Sequence, residues 1–366
     1  MSKSSVRLLI GLMLIALLGG AFAIYQAAAH RYEKYTNSFL DTFNTVTVVV
    51  AYARSQEEFD SYYERIHKRF QELHQLYDIY HDYPGIHNIK TINDNAGIQP
   101  VKVDAEIIDL ILFAKEWHRR THGQTNIAMG SVLDIWHKYR EAGRNDPELA
   151  VLPPLEELKA ALQHTDIDRI VVDQHEGTVY LTDSKMCLDV GAVAKGYAAE
   201  LVIKEMEAEG LESVMISAGG NIRAVGKPLD GLRERWGVGI QDPSRSIFSD
   251  DGLLDVVFIN DAAVVSSGDY QRYYIVDGKP FHHLIDLVTL MPADYYRAVT
   301  VVANDSGVAD FLSTELFLLP FAESKALAEG LEDVEALWVM PDGRVEATSG
   351  MHRIMRSHGA SGADPD

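Results

Sequence analysis

The spacing of apolar residues switches repeatedly along this chain, and that alternation limits its fold more than any other feature. Residues 42–51, TFNTVTVVVA, are dense in β-branched side chains and read as a strand. From Gln56 to Tyr80 the repeat lengthens. Phe59, Tyr63, Ile66, Phe70, Leu73 and Tyr77 recur three and four residues apart, the stripe of an amphipathic helix. Asp104 stands where an N-cap belongs, ahead of a helix to about Thr121. Residues 141–156, with Pro147, Pro153 and Pro154, read as a polar insertion, and 157–165 as a short helix. Strands are expected at 170–173 and 178–181, then at 213–217, 236–240, 254–259, 262–266, 272–276, 298–302, 336–340 and 344–347. Further helices are expected at 192–209, 306–318 and 322–330. Helices interleaved with antiparallel hairpins give an α+β class.

The N-terminus adds a separate constraint. Lys3 and Arg7 precede an almost unbroken apolar run from Leu8 to about Ala29. As a helix it would measure roughly 33 Å, close to the hydrocarbon thickness of a bilayer. The basic flank keeps that end in the cytoplasm and places the body outside. The run reads as a signal anchor over residues 1–29. A cleaved signal peptide, with small residues at Ala21–Ala23 or Ala27–Ala29, is the alternative. Residues 30–40 are expected to be a polar linker and 351–366 a flexible tail.

Charge and rare residues exclude several classes. The formal charge of −21 and the absence of a clustered cationic stretch argue against nucleic-acid binding. Cys187 is the only cysteine, which excludes an intramolecular disulfide and a multi-cysteine metal site. It sits in an apolar run and reads as a packing residue. His67, His74 and His81 recur every seven residues along one helix flank, a solvated face rather than a metal cage. His118 and His122 are four apart, but Arg119 stands where a zinc-protease helix needs its glutamate.

Four segments carry residues suited to chemistry. LDVGAVAKGY, residues 188–197, places Asp189 at a strand end, small residues next, and Lys195 at a helix start. Such a turn can present free N–H groups and a point charge to phosphate, or simply join strand to helix. ISAGGNIRAVG, residues 216–226, can form a backbone nest or a glycine-rich hairpin. SSGDYQRYYIVDGKPFHHLID, residues 266–286, has a hairpin signal at Asp277-Gly278 and then His282 and His283. Adjacent strand residues face opposite sides, so only one of the two histidines is expected at a given ligand atom. ADFLSTELFLLP, residues 309–320, puts Asp310 and Thr314 on one helical face, two hard oxygen donors of the kind Mg²⁺ takes.

Taken together, in this order and preceded by TNIAMG at 125–130, these segments resemble the FAD:protein FMN transferase (ApbE-type) family from about residue 41 to 347. The family patterns are L-D-hydrophobic-G-x-hydrophobic-A-K-G-Y, N-A-G-G-D-I-R-x-x-G, S-G-D-Y-E-R-Y with H-H-I-I-D, and A-D-x-L-A-T-A-L-F. The resemblance implies a single catalytic domain over 41–350, with mixed or antiparallel sheets flanked by helices. It implies Mg²⁺ held by Asp310, Thr314 and the Ala192 carbonyl. FAD, the substrate, would be contacted by Asp189, Lys195, Tyr80 and the Ala128-Met129-Gly130 turn. His282, His283 and Ile285 would line the pocket, one histidine being catalytic, with His283 the choice. The implied reaction attaches FMN to a Ser or Thr hydroxyl of an acceptor and releases AMP. The acceptor would be an FMN-binding domain of a membrane redox complex, met on the periplasmic side of the inner or plasma membrane. A metal-dependent FAD pyrophosphatase, a non-catalytic FAD-binding protein and a ligand-free interaction domain are the alternatives. Two stretches depart from the family. Leu287 and Leu290 stand where it has proline and glycine, so that loop is expected to be rebuilt. Phe43-Asn44-Thr45 replaces an early M-G-T.

Overall fold

The computed structural model describes residues 32–363 apart from 247, 248 and 250. The expected anchor at 1–29 lies outside the described residues, among which no helix is long and apolar enough to cross a membrane. In chain order, β1 (Glu33–Thr42) and β2 (Thr45–Ala53) form a hairpin, followed by α1 (Gln56–Tyr77) and α2 (Ile89–Asp94). Next come β3 (Val101–Lys102), α3 (Ala105–Arg120), α4 (Gly130–Asn145), α5 (Leu155–Leu162), β4 (Ile170–Asp173) and β5 (Thr178–Leu181). After these stand α6 (Ala194–Ala208), β6 (Val214–Ala218), β7 (Asn221–Val225), β8 (Trp236–Gln241), β9 (Leu253–Ile259), β10 (Ala263–Gly268), β11 (Tyr274–Val276) and β12 (Lys279–Phe281). The chain closes with β13 (Ala298–Ala303), α7 (Ser306–Phe317), α8 (Phe321–Gly330), β14 (Val334–Val339), β15 (Val345–Ala347) and α9 (Ser349–Ile354).

An eight-stranded sheet in the order β1-β2-β6-β7-β10-β13-β14-β15 forms the centre, and each of its neighbouring pairs is antiparallel. Its strands alternate between two cores, as a period of two demands. On β13, Val299, Val301 and Ala303 join the larger core with α1, α6 and α7. Ala298 and Val302 join a smaller one beneath the β8–β9 hairpin, with Met351 and Met355. The sheet is therefore covered on both faces, and the α+β class holds. A third cluster, with Val132, Trp136, Leu158, Tyr274, Val276, Ile285 and Leu290, builds a satellite lobe from α4, α5 and the β11–β12 hairpin.

Three expectations need correction. The expected linker at 30–40 is, from Glu33 on, part of the edge strand β1. Its polar residues from Glu33 to Asp41 face water while Tyr35 stacks on Phe59 at 5.5 Å and Phe39 packs on Phe70 at 5.6 Å. Residues 351–363 of the expected tail are not loose. Met351 and Met355 are buried, and the Gly362 carbonyl accepts the N–H groups of Glu234 at 2.7 Å and Arg235 at 3.1 Å. The start of the expected insertion at 141–156 is helical to Asn145, because α4 runs through it.

Candidate active site

A cavity of about 700 Å³ opens between the central sheet and the satellite lobe. Its floor is made by α6 and α7, and glycine makes that junction possible. A Cβ on Gly196 would stand 2.2 Å from the Ser306 carbonyl oxygen and 2.5 Å from Asp310 Cβ. With only hydrogen there, the start of α6 lies against α7. That start has no side-chain cap of its own. Instead the Gly196 N–H donates to Asp310 Oδ2 at 2.8 Å, so a carboxylate from α7 serves the positive end of α6.

Asp310 is buried, and burial pushes its carboxyl above the ordinary carboxylate range. Lys195, with Nζ 4.0 Å from Oδ2, opposes this, as do the Gly196 N–H and Asn221. The Asn221 amide is close enough to favour the ionised form but lacks hydrogen-bond geometry, and its Nδ2 is buried without a partner. Thr314, one turn on from Asp310, has its hydroxyl 3.5 Å from Ser267 Oγ, which also meets Ser313 Oγ at 2.8 Å. Asp310, Thr314 and Ala192 all line the cavity. Among the described residues no cluster of three or more His, Cys, Asp or Glu side chains could hold a metal. A cation here would therefore meet one carboxylate, a hydroxyl and a carbonyl, leaving positions for substrate phosphate and water. That donor set fits Mg²⁺.

The opposite wall is cationic, although the chain as a whole is acidic. His137, Arg140 and Arg144 line the cavity from α4, and Arg272 from the turn after β10. Glu141 lines the cavity beside them, 3.9 Å from Arg140 Nε and 3.5 Å from Arg144 Nη1, and offsets part of their charge. Arg140 Nε is buried without a hydrogen bond, and Arg272 is held at φ 47°, a left-handed backbone uncommon outside glycine. Asp189 faces this group. Burial raises its carboxyl, opposed by the Gly191 N–H at 2.8 Å and by Arg272, His137 and Arg140. His283 lies between the two sides with a buried, unpartnered Nδ1. Burial holds its imidazole well below the usual range, and Arg272, His282, Arg140 and Lys195 push the same way. At the mouth, half-exposed Tyr80 lies against the His137 ring at 5.4 Å, its hydroxyl pushed up to about 12 by burial and Asp189.

The ApbE family model matches residues 40–338. A protein named FAD:protein FMN transferase from Treponema pallidum (strain Nichols) is 33% identical over 276 residues, which is 72% of this chain and 73% of that protein. This chain belongs to the ApbE family. A protein of the same name from Klebsiella pneumoniae (strain 342) is 31% identical over 253 residues, 69% of this chain and 74% of that one. The ApbE protein of Thermotoga maritima MSB8 superposes with a TM-score of 0.75 at 27% identity, over 87% of this chain and 98% of that one. The flavin transferase ApbE from Vibrio cholerae, at 22% identity and a TM-score of 0.72, shares the fold over 88% of this chain and 99% of that one.

Most residues that the ApbE resemblance singled out meet in one cavity: Tyr80, Met129, Asp189, Ala192, Lys195, His283, Ile285, Asp310 and Thr314 all line it. Three do not. His282 turns inward, where its Nε2–H donates to the Ala293 carbonyl at 2.9 Å and its Nδ1 accepts the Leu284 N–H at 3.2 Å. Both ring nitrogens are used by backbone, and burial lowers its basicity. His282 thus shapes the loop and does not face the cavity. Ala128 is fully buried beneath the turn. Gly130 lets α4 begin against the chain at Cys187, whose carbonyl oxygen a Cβ would meet at 2.3 Å. Sequence patterns alone assigned no role to His137, Arg140 and Arg272. The α4 residues could have been found from spacing, since residues 133, 136, 137, 140 and 144 share one helical face and all line the cavity.

The two departures from the ApbE pattern each fall at a left-handed turn. Leu290 has a left-handed backbone at φ 59°. That conformation costs a leucine roughly 1–2 kcal/mol. The side chain is buried in the satellite core and Trp136 Nε1–H donates to its carbonyl at 3.0 Å, which offsets the cost. Phe43 and Asn44 form the β1–β2 turn, both at φ 51°, and with Thr45 they line the cavity. Gly219 fits beneath them at φ 60°, where a Cβ would stand 2.1 Å from Thr45 Oγ1.

Proposed function

We propose that this chain transfers FMN from FAD to a Ser or Thr hydroxyl of an acceptor protein, with Mg²⁺ as cofactor and AMP as the leaving product. The observation that carries this reading is a carboxylate–lysine pair at a helix start that lacks a cap of its own, facing a cationic wall across a cavity of about 700 Å³. That volume is within the range of ligand pockets. The two sides can take the two charges of a pyrophosphate that an acidic chain would otherwise repel. The relatives' name, FAD:protein FMN transferase, supports the same reading.

In the proposed step the acceptor oxygen forms a bond to the FMN-side phosphorus. The bond from that phosphorus to the bridging oxygen breaks, and AMP departs with the electron pair. Asp310, Thr314 and the Ala192 carbonyl would hold Mg²⁺, which when bound neutralises charge on the phosphate oxygens. Lys195 stabilises the same charge from the α6 side. The hydroxyl proton passes to His283 Nδ1, which is neutral and without a partner. Tyr80 and Met129 border the space left for the ring systems. The apolar run at 8–29 supports anchoring at the inner or plasma membrane, with this domain on the periplasmic side beside an acceptor of a membrane redox complex.

The test is mass spectrometry of a purified FMN-acceptor domain incubated with the enzyme, FAD and Mg²⁺. A covalent FMN adduct on a Ser or Thr is expected, and it should vanish with a chelator. Free FMN and AMP without an adduct would mean hydrolysis instead. FAD binding without turnover would leave a binding protein.

A further inference from the structure

Glu315, next to Thr314 on α7, is fully buried and has no cationic partner among the described ion pairs. Its carboxylate is satisfied by main chain alone. Oε1 accepts the N–H groups of His122 at 3.0 Å and Gln124 at 3.2 Å, and Oε2 accepts that of Thr125 at 2.5 Å. The segment after α3 thus wraps around one side chain of α7. It is pinned again where the Thr125 hydroxyl reaches the Phe311 carbonyl at 3.5 Å and His118 Nδ1–H donates to the Thr125 carbonyl at 3.0 Å. The same segment continues as cavity wall: Gln124, Thr125, Asn126, Ile127 and Met129 all line the pocket. At the position of Glu315 the A-D-x-L-A-T-A-L-F pattern has an alanine, which cannot accept these bonds.

We infer that Glu315 is a positioning residue that locks the 124–129 wall to the helix bearing Asp310 and Thr314, and so sets the affinity for FAD. A buried carboxylate is costly unless every lone pair is used, and here the donors that use them belong to the loop being held. Loop and helix cannot part without leaving a bare charge. The wall lines the cavity without carrying any of the groups assigned to the phosphate, so the effect is expected in binding. The inference rests on the transfer reading for the identity of the ligand, and its own test is separable.

The experiment compares wild type with Glu315→Gln, which keeps the shape but turns an N–H₂ toward backbone donors. FAD affinity is read from quenching of flavin fluorescence, and amide exchange at residues 122–125 is read without any ligand. In Glu315→Gln the dissociation constant for FAD should rise roughly tenfold, with faster exchange at 122–125. The KM for FAD in acceptor labelling should rise in parallel, while kcat changes much less. His118→Ala, which loosens the same loop from its other side, should shift affinity in the same direction by about threefold. Unchanged affinity and unchanged exchange in Glu315→Gln would overturn the inference, as would a fall confined to kcat. Wild type that binds FAD but labels no acceptor would sink the transfer reading alone. Wild type that binds no FAD would sink both.

Discussion

At its floor the cavity is closed by buried polar groups on rigid elements, whereas its rim is framed by turns. Asp310, Thr314 and Lys195 sit on two helices pressed together at Gly196, and their positions are fixed by backbone contacts on several sides. The rim includes the Phe43–Asn44 turn and Tyr80, and that turn holds two side chains in left-handed backbone. The floor cannot absorb a single methyl added at Gly196 without moving a helix, while the rim carries a phenylalanine and an asparagine at φ 51°. On the proposed function the contrast would match the task of each region: charge on phosphate must be met at fixed distances, but flat ring systems can be held by contact area alone.

Substitutions can break that contrast, the largest effects first. Asp310→Ala should lower acceptor labelling by at least about 10³-fold, read by mass spectrometry, because it removes both the carboxylate donor and the partner of Lys195. The same change should leave the fold intact. It should lower the melting temperature only slightly at neutral pH, because relief of a buried carboxylate offsets much of the lost contact with the Gly196 N–H and Lys195. Folded Asp310 holds its proton more tightly than the unfolded chain does, so its favourable contribution is present below the unfolded pKa. That contribution is lost as pH rises toward the raised folded value. In metal-free protein, wild type should therefore lose stability relative to Asp310→Ala over that rise, measured by denaturant titration. A clear loss of stability in Asp310→Ala at neutral pH would contradict this account of the floor.

Lys195→Met should cost about 10²-fold in kcat and also weaken FAD binding. At the rim the expected effects are smaller and of another kind. Tyr80→Ala should raise the KM for FAD about fivefold with kcat nearly constant. An equal fall in kcat would place Tyr80 in the chemistry and erase the contrast. Asn44→Val, at φ 51° on the exposed turn, should cost about 1 kcal/mol in chemical denaturation and raise the KM for FAD by less than Tyr80→Ala does.

Legibility in the sequence tracked the range of the interactions involved. The strands at 170–173 and 178–181 and the Asp104-capped helix lie where the local pattern puts them, because each is specified within a few residues. The floor was legible for the same reason, since Asp189 to Lys195 and Asp310 to Thr314 each form one short segment. Edge strand β1 was not, because its polar face hides a pattern carried by Tyr35 and Phe39 alone. Arg140 and His137 went unread because α4 itself was not assigned. Glu315 looked like any helix glutamate, since its partners are about 190 positions away.

By itself, then, the sequence determined the class of fold, the order of the motifs and the kinds of atom available for chemistry. Those depend on residue type and spacing along the backbone. Only the tertiary structure decided that His283 faces the cavity while His282 turns to the Ala293 carbonyl, and that an acidic chain presents a cationic wall. It also decided that a glutamate on α7 holds a loop after α3. Each of these is a contact between segments distant in sequence, set by how close two backbones can pack.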